Sequence, residues 1–316
     1  MARRRKKSGS SRVHGGWLIA VAATCFIVGV FWERRQAEAP LPGSSPEPPA
    51  SAASAKAASS HPVGERRSVR ESTLSAPLPR RGVAIVPVGH GHARIALVID
   101  DLGRSTADVE RLQGLGIPWT GSVLPFEGRT REVVSALQQA GVEYLCHLPM
   151  QGVKANPGLG ALRLDMTAAE LAAATRAALA AVPGATGVNN HMGSVLSAER
   201  AAMTPILRQL ALRDLFFLDS RTSPASVGYR LALELGMPAA ERQVFLDADA
   251  SEAGVEEQFG RWLELARRRG GAIAIGHPHP YTLAVLEREV PRALAAGYEF
   301  VPASFLLDRP ALGVTQ

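Results

Sequence analysis

Ile95-Ala-Leu-Val-Ile-Asp-Asp-Leu-Gly-Arg-Ser105 is an apolar run that ends in two adjacent carboxylates, Asp100 and Asp101. A short apolar run bounded by a turn signal reads as an interior strand of a parallel sheet. Neighbouring carboxylates repel, and each one buried raises the cost of charging the other. A cation between them, or a shared proton, would account for the pair. Helix capping is the competing account, because Asp is a good N-cap. Ser105-Thr-Ala-Asp108, however, already has the form of a capping box for the helix that follows, which leaves the two Asp free for function. Adjacent strand residues point to opposite faces, so both carboxylates reach one site only if the strand breaks into a turn, as Leu102-Gly103 permits.

The same design repeats downstream. Strand-like runs fall near 94–99, 119–124, 142–147, 185–190, 215–219, 243–247, 271–276 and 299–303, and helical segments near 105–115, 129–140, 167–182, 198–213, 226–236, 251–269 and 281–296. Thr167-Ala-Ala-Glu170 has the capping-box form, and Asp249 followed by Glu252 resembles a helix cap. A βα unit repeated about seven times argues for one parallel α/β domain over 94–316, either a barrel or a doubly wound sheet.

Upstream the composition changes. Residues 1–35 hold eight Lys and Arg against Glu33 alone, leaving 27 basic and 28 acidic residues in the rest, so the overall charge of +6 is local. No nucleic-acid face is implied. The basic tail of residues 1–15, with Arg3-Arg-Arg-Lys-Lys7, precedes an uncharged stretch over 16–32 bracketed by Trp17 and Trp32. That stretch is at the short limit for a transmembrane helix. The positive-inside rule then keeps the N-terminus in the cytoplasm and sends the remainder to the periplasm, anchored in the inner membrane. Cleavage of a signal peptide after Ala37-Glu-Ala39 is the competing reading, and Pro40 directly after it argues for a retained anchor. Residues 33–93 are rich in Pro, Ala and Ser without sustained periodicity, which predicts a disordered linker.

Cysteine supplies no disulfide, since Cys25 falls inside the expected span and Cys146 has no exported partner. Cys146 alternates with Val142 and Tyr144, as a buried strand position would. Histidine is more telling. His14, His61, His90 and His92 lie in the tail and linker, whereas His147, His191, His277 and His279 all stand at the ends of predicted strands. Parallel strands place their C-terminal ends on one face, so these four converge there with Asp100 and Asp101. A histidine beside Pro149 or Pro278 also fits a turn-capping role when taken alone. One Asp oxygen and two His nitrogens, with a position left for water, suit Zn²⁺ or a similar divalent ion in a hydrolytic site.

These residues carry a resemblance. His147-Leu-Pro-Met150, Asn189-Asn-His-Met-Gly-Ser194, Phe217-Leu-Asp-Ser-Arg-Thr222 and Gly276-His-Pro-His-Pro280, together with Val98-Ile-Asp-Asp101, resemble the divergent branch of the polysaccharide deacetylases. The resemblance covers about Arg94 to Pro310. It implies a distorted, NodB-like (β/α)7 barrel and removal of acetyl groups from an envelope glycan. It further implies Asp100 as the base, Asp101 as a metal ligand, His147 in the metal motif, and His277 or His279 as the acid that protonates the leaving group. Where the parent motif has its second metal histidine, four residues after His147, this chain has Gln151, and the Arg-Pro-Pro-Tyr-Gly-like third motif is absent. His191 is therefore expected to supply the missing ligand from the next strand.

Other candidates are weaker. Asp219 and Asp247 end apolar runs and would orient a ligand histidine or cap a turn, with Arg221 contacting substrate. Asn189 and Asn190 would donate to a developing oxyanion or serve as turn residues. The expectation is thus a membrane-anchored, exported, metal-dependent deacetylase acting on a cell-envelope polysaccharide, zinc being the metal the ligands suit. The alternative is a catalytically silent barrel that binds glycan or an envelope protein through the same face.

Overall fold

The computed structural model describes residues 93–153 and 156–309. The expected tail, the 16–32 span and the linker up to residue 92 lie outside the described residues. Among the described residues no helix is long and apolar enough to cross a membrane.

Nine strands and seven α-helices follow one another along the described chain. They run β1 (Arg94–Leu102), α1 (Ala107–Gln113), β2 (Thr120–Val123), α2 (Thr130–Gln139), β3 (Glu143–Met150), α3 (Ala168–Ala181) and β4 (Gly187–Met192). Then follow α4 (Arg200–Ala211), β5 (Phe216–Asp219), α5 (Gly228–Glu234), β6 (Ala239–Glu241), β7 (Val244–Phe245), α6 (Glu252–Arg269), β8 (Gly271–Gly276), α7 (Pro280–Ala295) and β9 (Glu299–Phe300). Every strand pairing is parallel, in the order β6-β5-β4-β3-β2-β1-β8-β7, with β9 beside β1. The result is a curled parallel barrel that stays open between β6 and β7. Gln243 ties the seam: its N–H donates to Ile273, its Oε1 accepts from Ile273 N–H, and its Nε2 donates to the Glu241 carbonyl.

Strand alternation sorts side chains into two cores. Ile95, Leu97, Ile99, Cys146, Leu148, Val188 and Phe217 face the helices. Ala96, Val98, Leu145, Phe216, Leu218, Ile273 and Ile275 face the lumen, closed below by Val301 and Ala303. The helices bury matching stripes. In α6, Val255, Phe259, Trp262, Leu263 and Ala266 are buried, at about 1.5–3 kcal/mol for each large apolar side chain. Ser251 caps that helix at its N-terminus, Arg267 to Arg269 fill its last turn, and Gly270, at φ 80°, closes it in the left-handed conformation that glycine tolerates.

Several local expectations need correction. The Ser105 box does not form: Thr106 precedes α1 without a side-chain cap bond, and Ser105 Oγ accepts instead from Ala107 N–H at 3.2 Å. Ser251, not Asp249, caps α6. Strand β6 escapes the sequence pattern because Ala239-Ala-Glu241 has neither alternation nor β-branched residues. Strands β3 and β4 run on through His147 and His191 rather than ending at them. By contrast, the Thr167–Glu170 capping box is complete, and Cys146 is buried, its thiol pushed up to about 12 by burial.

Candidate metal centre

Two residues further along each strand, the lumen-facing parity turns from apolar to polar. Val98 is followed by Asp100, Leu145 by His147, Leu218 by Ser220, and Ile275 by His277. Asn189 and His191 join them, since Asn189 is the register partner of His147 across β3 and β4. The apolar layer beneath forms the floor of this polar layer.

Asp101 has the wrong parity and enters by a different device. Between Ile99 and Leu102, β1 advances three residues while β2 advances two, from Gly121 to Val123, so one extra residue bulges. Asp101 takes it up at φ 59°, a left-handed conformation that Asp tolerates better than most residues. The break thus falls on Asp101 itself, one residue before the expected Leu102-Gly103 turn.

Three donor atoms then meet. Asp101 Oδ1 lies 2.9 Å from His191 Nδ1 and 3.2 Å from His147 Nε2, and the two ring nitrogens are 3.1 Å apart. The rings meet edge to face. Ligands held about 2.0–2.2 Å from one ion at tetrahedral angles lie about 3.3 Å from one another, close to these separations. Asp101 Oδ1 is buried and accepts no directed hydrogen bond, an expensive state for a carboxylate oxygen unless a cation is its partner. The donor set therefore fits a divalent metal. Burial opposes the charge on Asp101, but the two imidazoles outweigh it and hold the carboxyl far below the usual carboxylate range. Burial likewise opposes a charge on His147, yet Asp100 and Asp101 beside it raise its pKa.

Asp100 lies against the same cluster. It is 2 % exposed; its Oδ1 accepts from Asn189 Nδ2 at 2.8 Å, and its Oδ2 lies 3.5 Å from His147 Nε2. Asn189 is fully buried and makes four contacts: Ser122 Oγ at 2.5 Å and His147 Nδ1 at 2.8 Å on its oxygen, Asp100 at 2.8 Å and Ser220 Oγ at 3.3 Å on its nitrogen.

A second group gathers Asp247, His277 and His279. Here the carboxylate already has partners: Oδ2 accepts from His277 N–H at 2.6 Å and Thr282 Oγ1 at 2.9 Å, and Oδ1 lies 3.0 Å from His277 Nδ1. Burial opposes protonation of His277, but the Asp247 hydrogen bond and the charges of Asp100, Asp247 and Asp101 outweigh it, pushing the ring up to about 9. Both carboxylate oxygens of this second group are thus already engaged by protein donors. His279 is exposed, precedes α7 and stacks on Tyr281 at 5.0 Å.

The family model described as divergent polysaccharide deacetylase matches residues 97–307. The chain belongs to that family. Similar proteins include the uncharacterized protein YibQ of Escherichia coli (strain K12), 37% identical over 218 residues, covering 69% of this chain and 68% of YibQ. An uncharacterized Haemophilus influenzae protein is 37% identical over 196 residues, covering 62% of this chain and 70% of its own. In fold, the chain is similar to the crystal structure of an uncharacterized protein from Agrobacterium tumefaciens C58, with TM-score 0.64 and 23% identity over 71% of this chain and 99% of that one.

In this member of the family, the remaining candidates from the sequence make hydrogen bonds to the framework. Asp219 accepts from Arg221 N–H, Ser226 Oγ and Tyr229 N–H, and so shapes the β5–α5 connection. Arg221 turns to Glu241 and the Ser226 carbonyl. Asn190 accepts from Ser220 N–H and donates to the Met192 carbonyl. Asn189 spends both amide hydrogens on Asp100 and Ser220, leaving none for an oxyanion. Gln151 Oε1 accepts from Leu164 N–H at 2.8 Å, bracing the loop beyond β3.

Sequence reasoning missed Ser122, Ser220, Thr282 and Arg242. Arg242 bridges the Ser220 and Arg221 carbonyls at 2.7 and 2.9 Å and lies 4.8 Å over the Phe245 ring, which in turn meets His277 edge to face. Burial lowers its pKa, against the pull of Asp100 and Asp219. A polar residue two places beyond a lumen-facing apolar one was the available signal for Ser220. Beside His191 a cavity of about 100 Å³ opens between Phe126, Pro149 and Leu159, with Arg104 and Glu127 paired at 2.9 Å on its wall.

Proposed function

We propose that this protein is a metal-dependent hydrolase that removes acetyl groups from a cell-envelope polysaccharide. One observation carries the reading: Asp101 Oδ1, His147 Nε2 and His191 Nδ1 converge within 3.2 Å while the buried Asp101 oxygen accepts no hydrogen bond. Membership of the divergent polysaccharide deacetylase family supports the glycan class. The basic head before residue 16 supports an inner-membrane anchor with the barrel in the periplasm.

Asp101, His147 and His191 would hold the metal, with zinc suited to the set. When bound, such an ion polarises an acyl carbonyl and activates water near neutral pH. Asp100 is the base. Its Oδ1 is fixed by Asn189, and its Oδ2 faces the ligand cluster, placed to take a proton from the attacking water. His277 is the acid. Asp247 orients its Nδ1 and keeps the ring protonated, so Nε2 is free to give a proton to the departing sugar nitrogen or oxygen. His279, exposed and stacked on Tyr281, is left to meet substrate at the rim. The cavity beside His191, with Phe126 and Leu159 on one side and Arg104 and Glu127 on another, offers both apolar and polar contacts for part of the sugar.

The test is acetate release from acetylated chitin oligomers and cell-wall glycan with added Zn²⁺, Co²⁺ or Mn²⁺, alongside elemental analysis of the purified protein. The expected result is stoichiometric metal and metal-dependent acetate. No acetate above a no-enzyme control, with glycan binding that survives Asp100→Asn, would make the barrel a binding module instead.

A further inference from the structure

The Asn189 amide has donors on one end and acceptors on the other, so its direction decides what its neighbours can do. Asp100, when ionised, only accepts hydrogen bonds. The NH₂ end of Asn189 must therefore face Asp100 Oδ1, 2.8 Å away, and the Ser220 hydroxyl at 3.3 Å completes that end. The amide oxygen then faces Ser122 Oγ and His147 Nδ1. An amide oxygen cannot donate, so Nδ1 of His147 must carry the proton. Nε2 is left as the lone-pair nitrogen, and it points at Asp101 and His191.

We infer that Asn189 is a positioning residue that fixes His147 as the Nδ1–H tautomer and aims Nε2 at the metal position, with Asp100 setting the direction of the amide. The purpose of this relay rests on the metal-centre reading above; its geometry does not. The arrangement ties the ligand to the base through a neutral group. A carboxylate at 189 could orient the ring equally well, since it too accepts from Nδ1–H. It would, however, place a second negative oxygen where the NH₂ now meets Asp100, and the two would repel. A residue of asparagine's shape without its amide would leave the ring free to take either tautomer. All four hydrogen-bonding positions of Asn189 are used, and the side chain is wholly buried, so nothing else in the described site competes for it.

The test uses the full chain with ¹⁵N-labelled histidine, stripped of metal, followed by NMR of the His147 ring as pH is raised, with Zn²⁺ titrated separately. Nε2 should lose its proton while Nδ1 keeps its own. In Asn189→Leu the neutral ring should become a mixture of tautomers, and Zn²⁺ affinity should fall about 10–100-fold. Asn190→Ala, which removes only a loop brace, should leave the tautomer as it is. A wild-type ring that keeps Nε2–H, or an Asn189→Leu ring unchanged in both readouts, overturns the proposal. If Asn189→Leu fails to fold, Asp100→Ala removes the acceptor that directs the amide and should mix the tautomers; an unchanged Nδ1–H there overturns the directing role. A wild type that keeps Nδ1–H but binds no Zn²⁺ would sustain the relay and defeat the metal reading.

Discussion

Asp247 grips His277 twice, taking its backbone N–H at 2.6 Å with one oxygen and facing its Nδ1 at 3.0 Å with the other. The ring is thus set in place by main chain and side chain together. Its pKa, pushed up to about 9, means that it is charged throughout the neutral range. In the metal-free protein, NMR should show His277 titrating near 9 and Asp247→Asn bringing that value down toward the ordinary imidazole range. The sign for stability follows. The folded-state pKa is raised, so this contribution is full below about 6.5, the unfolded value, and is lost as pH rises through about 9. Urea midpoints should fall over that window in the wild type and change less in Asp247→Asn.

His191→Ala should weaken Zn²⁺ binding at least as much as His147→Ala, by roughly 10-fold or more, because both nitrogens reach Asp101 Oδ1 at similar distance. Gln151→Ala should leave the affinity within about 2-fold, since its side chain is spent on Leu164 N–H. Calorimetric titration reads both. Unchanged affinity in His191→Ala would remove that residue from the ligand set.

Asp101 carries two burdens, a ligand oxygen and a left-handed backbone at φ 59°. Asp101→Asn and Asp101→Val both remove the charge, so the charge drops out of their difference. The valine variant should be less stable by about 1–2 kcal/mol, because a β-branched residue resists this conformation where Asn accepts it. Urea denaturation of the metal-free variants measures the gap. Equal stabilities would mean that the bulge relaxes once the carboxylate is gone.

Asp100→Asn keeps an oxygen that can accept from Asn189, so the amide should hold its direction. At saturating Zn²⁺ the variant should carry a full complement of metal while acetate release falls about 10²–10⁴-fold, the usual loss for a general base. Asp101→Asn should lose metal and activity together. Full activity in Asp100→Asn would assign the base elsewhere.

The succession of elements and the convergence of Asp100, His147, His191 and His277 were legible because apolar strand runs end in polar residues at one face of a parallel sheet. Parity carried further information. It separates lumen-facing Asn189 from Asn190, and Ser220 from Asp219, and the outward pair became loop braces. Asp101 defied parity, because a bulge is one extra residue that no alternation foretells. Arg242 was illegible for another reason: it sits at the seam, beside a three-residue strand too short to show any period. The Ser105 box failed because a helix start is chosen by the chain that leads into it, here the tight exit from β1, as much as by its own residues.

The open seam has a consequence for how molecules meet one another. A barrel that does not close keeps a strand edge, and unpaired edge groups invite strands from other chains. At β6 the C-terminal segment answers this: Asp308 exchanges both backbone hydrogen bonds with Ala239, and its carboxylate takes the Tyr229 hydroxyl. The segment around Asp308 therefore covers part of the edge that another chain would use. Its value would be felt most when the chain is crowded against neighbours and least in dilute solution, so loss of these few residues would register as precipitation before it registered as loss of fold.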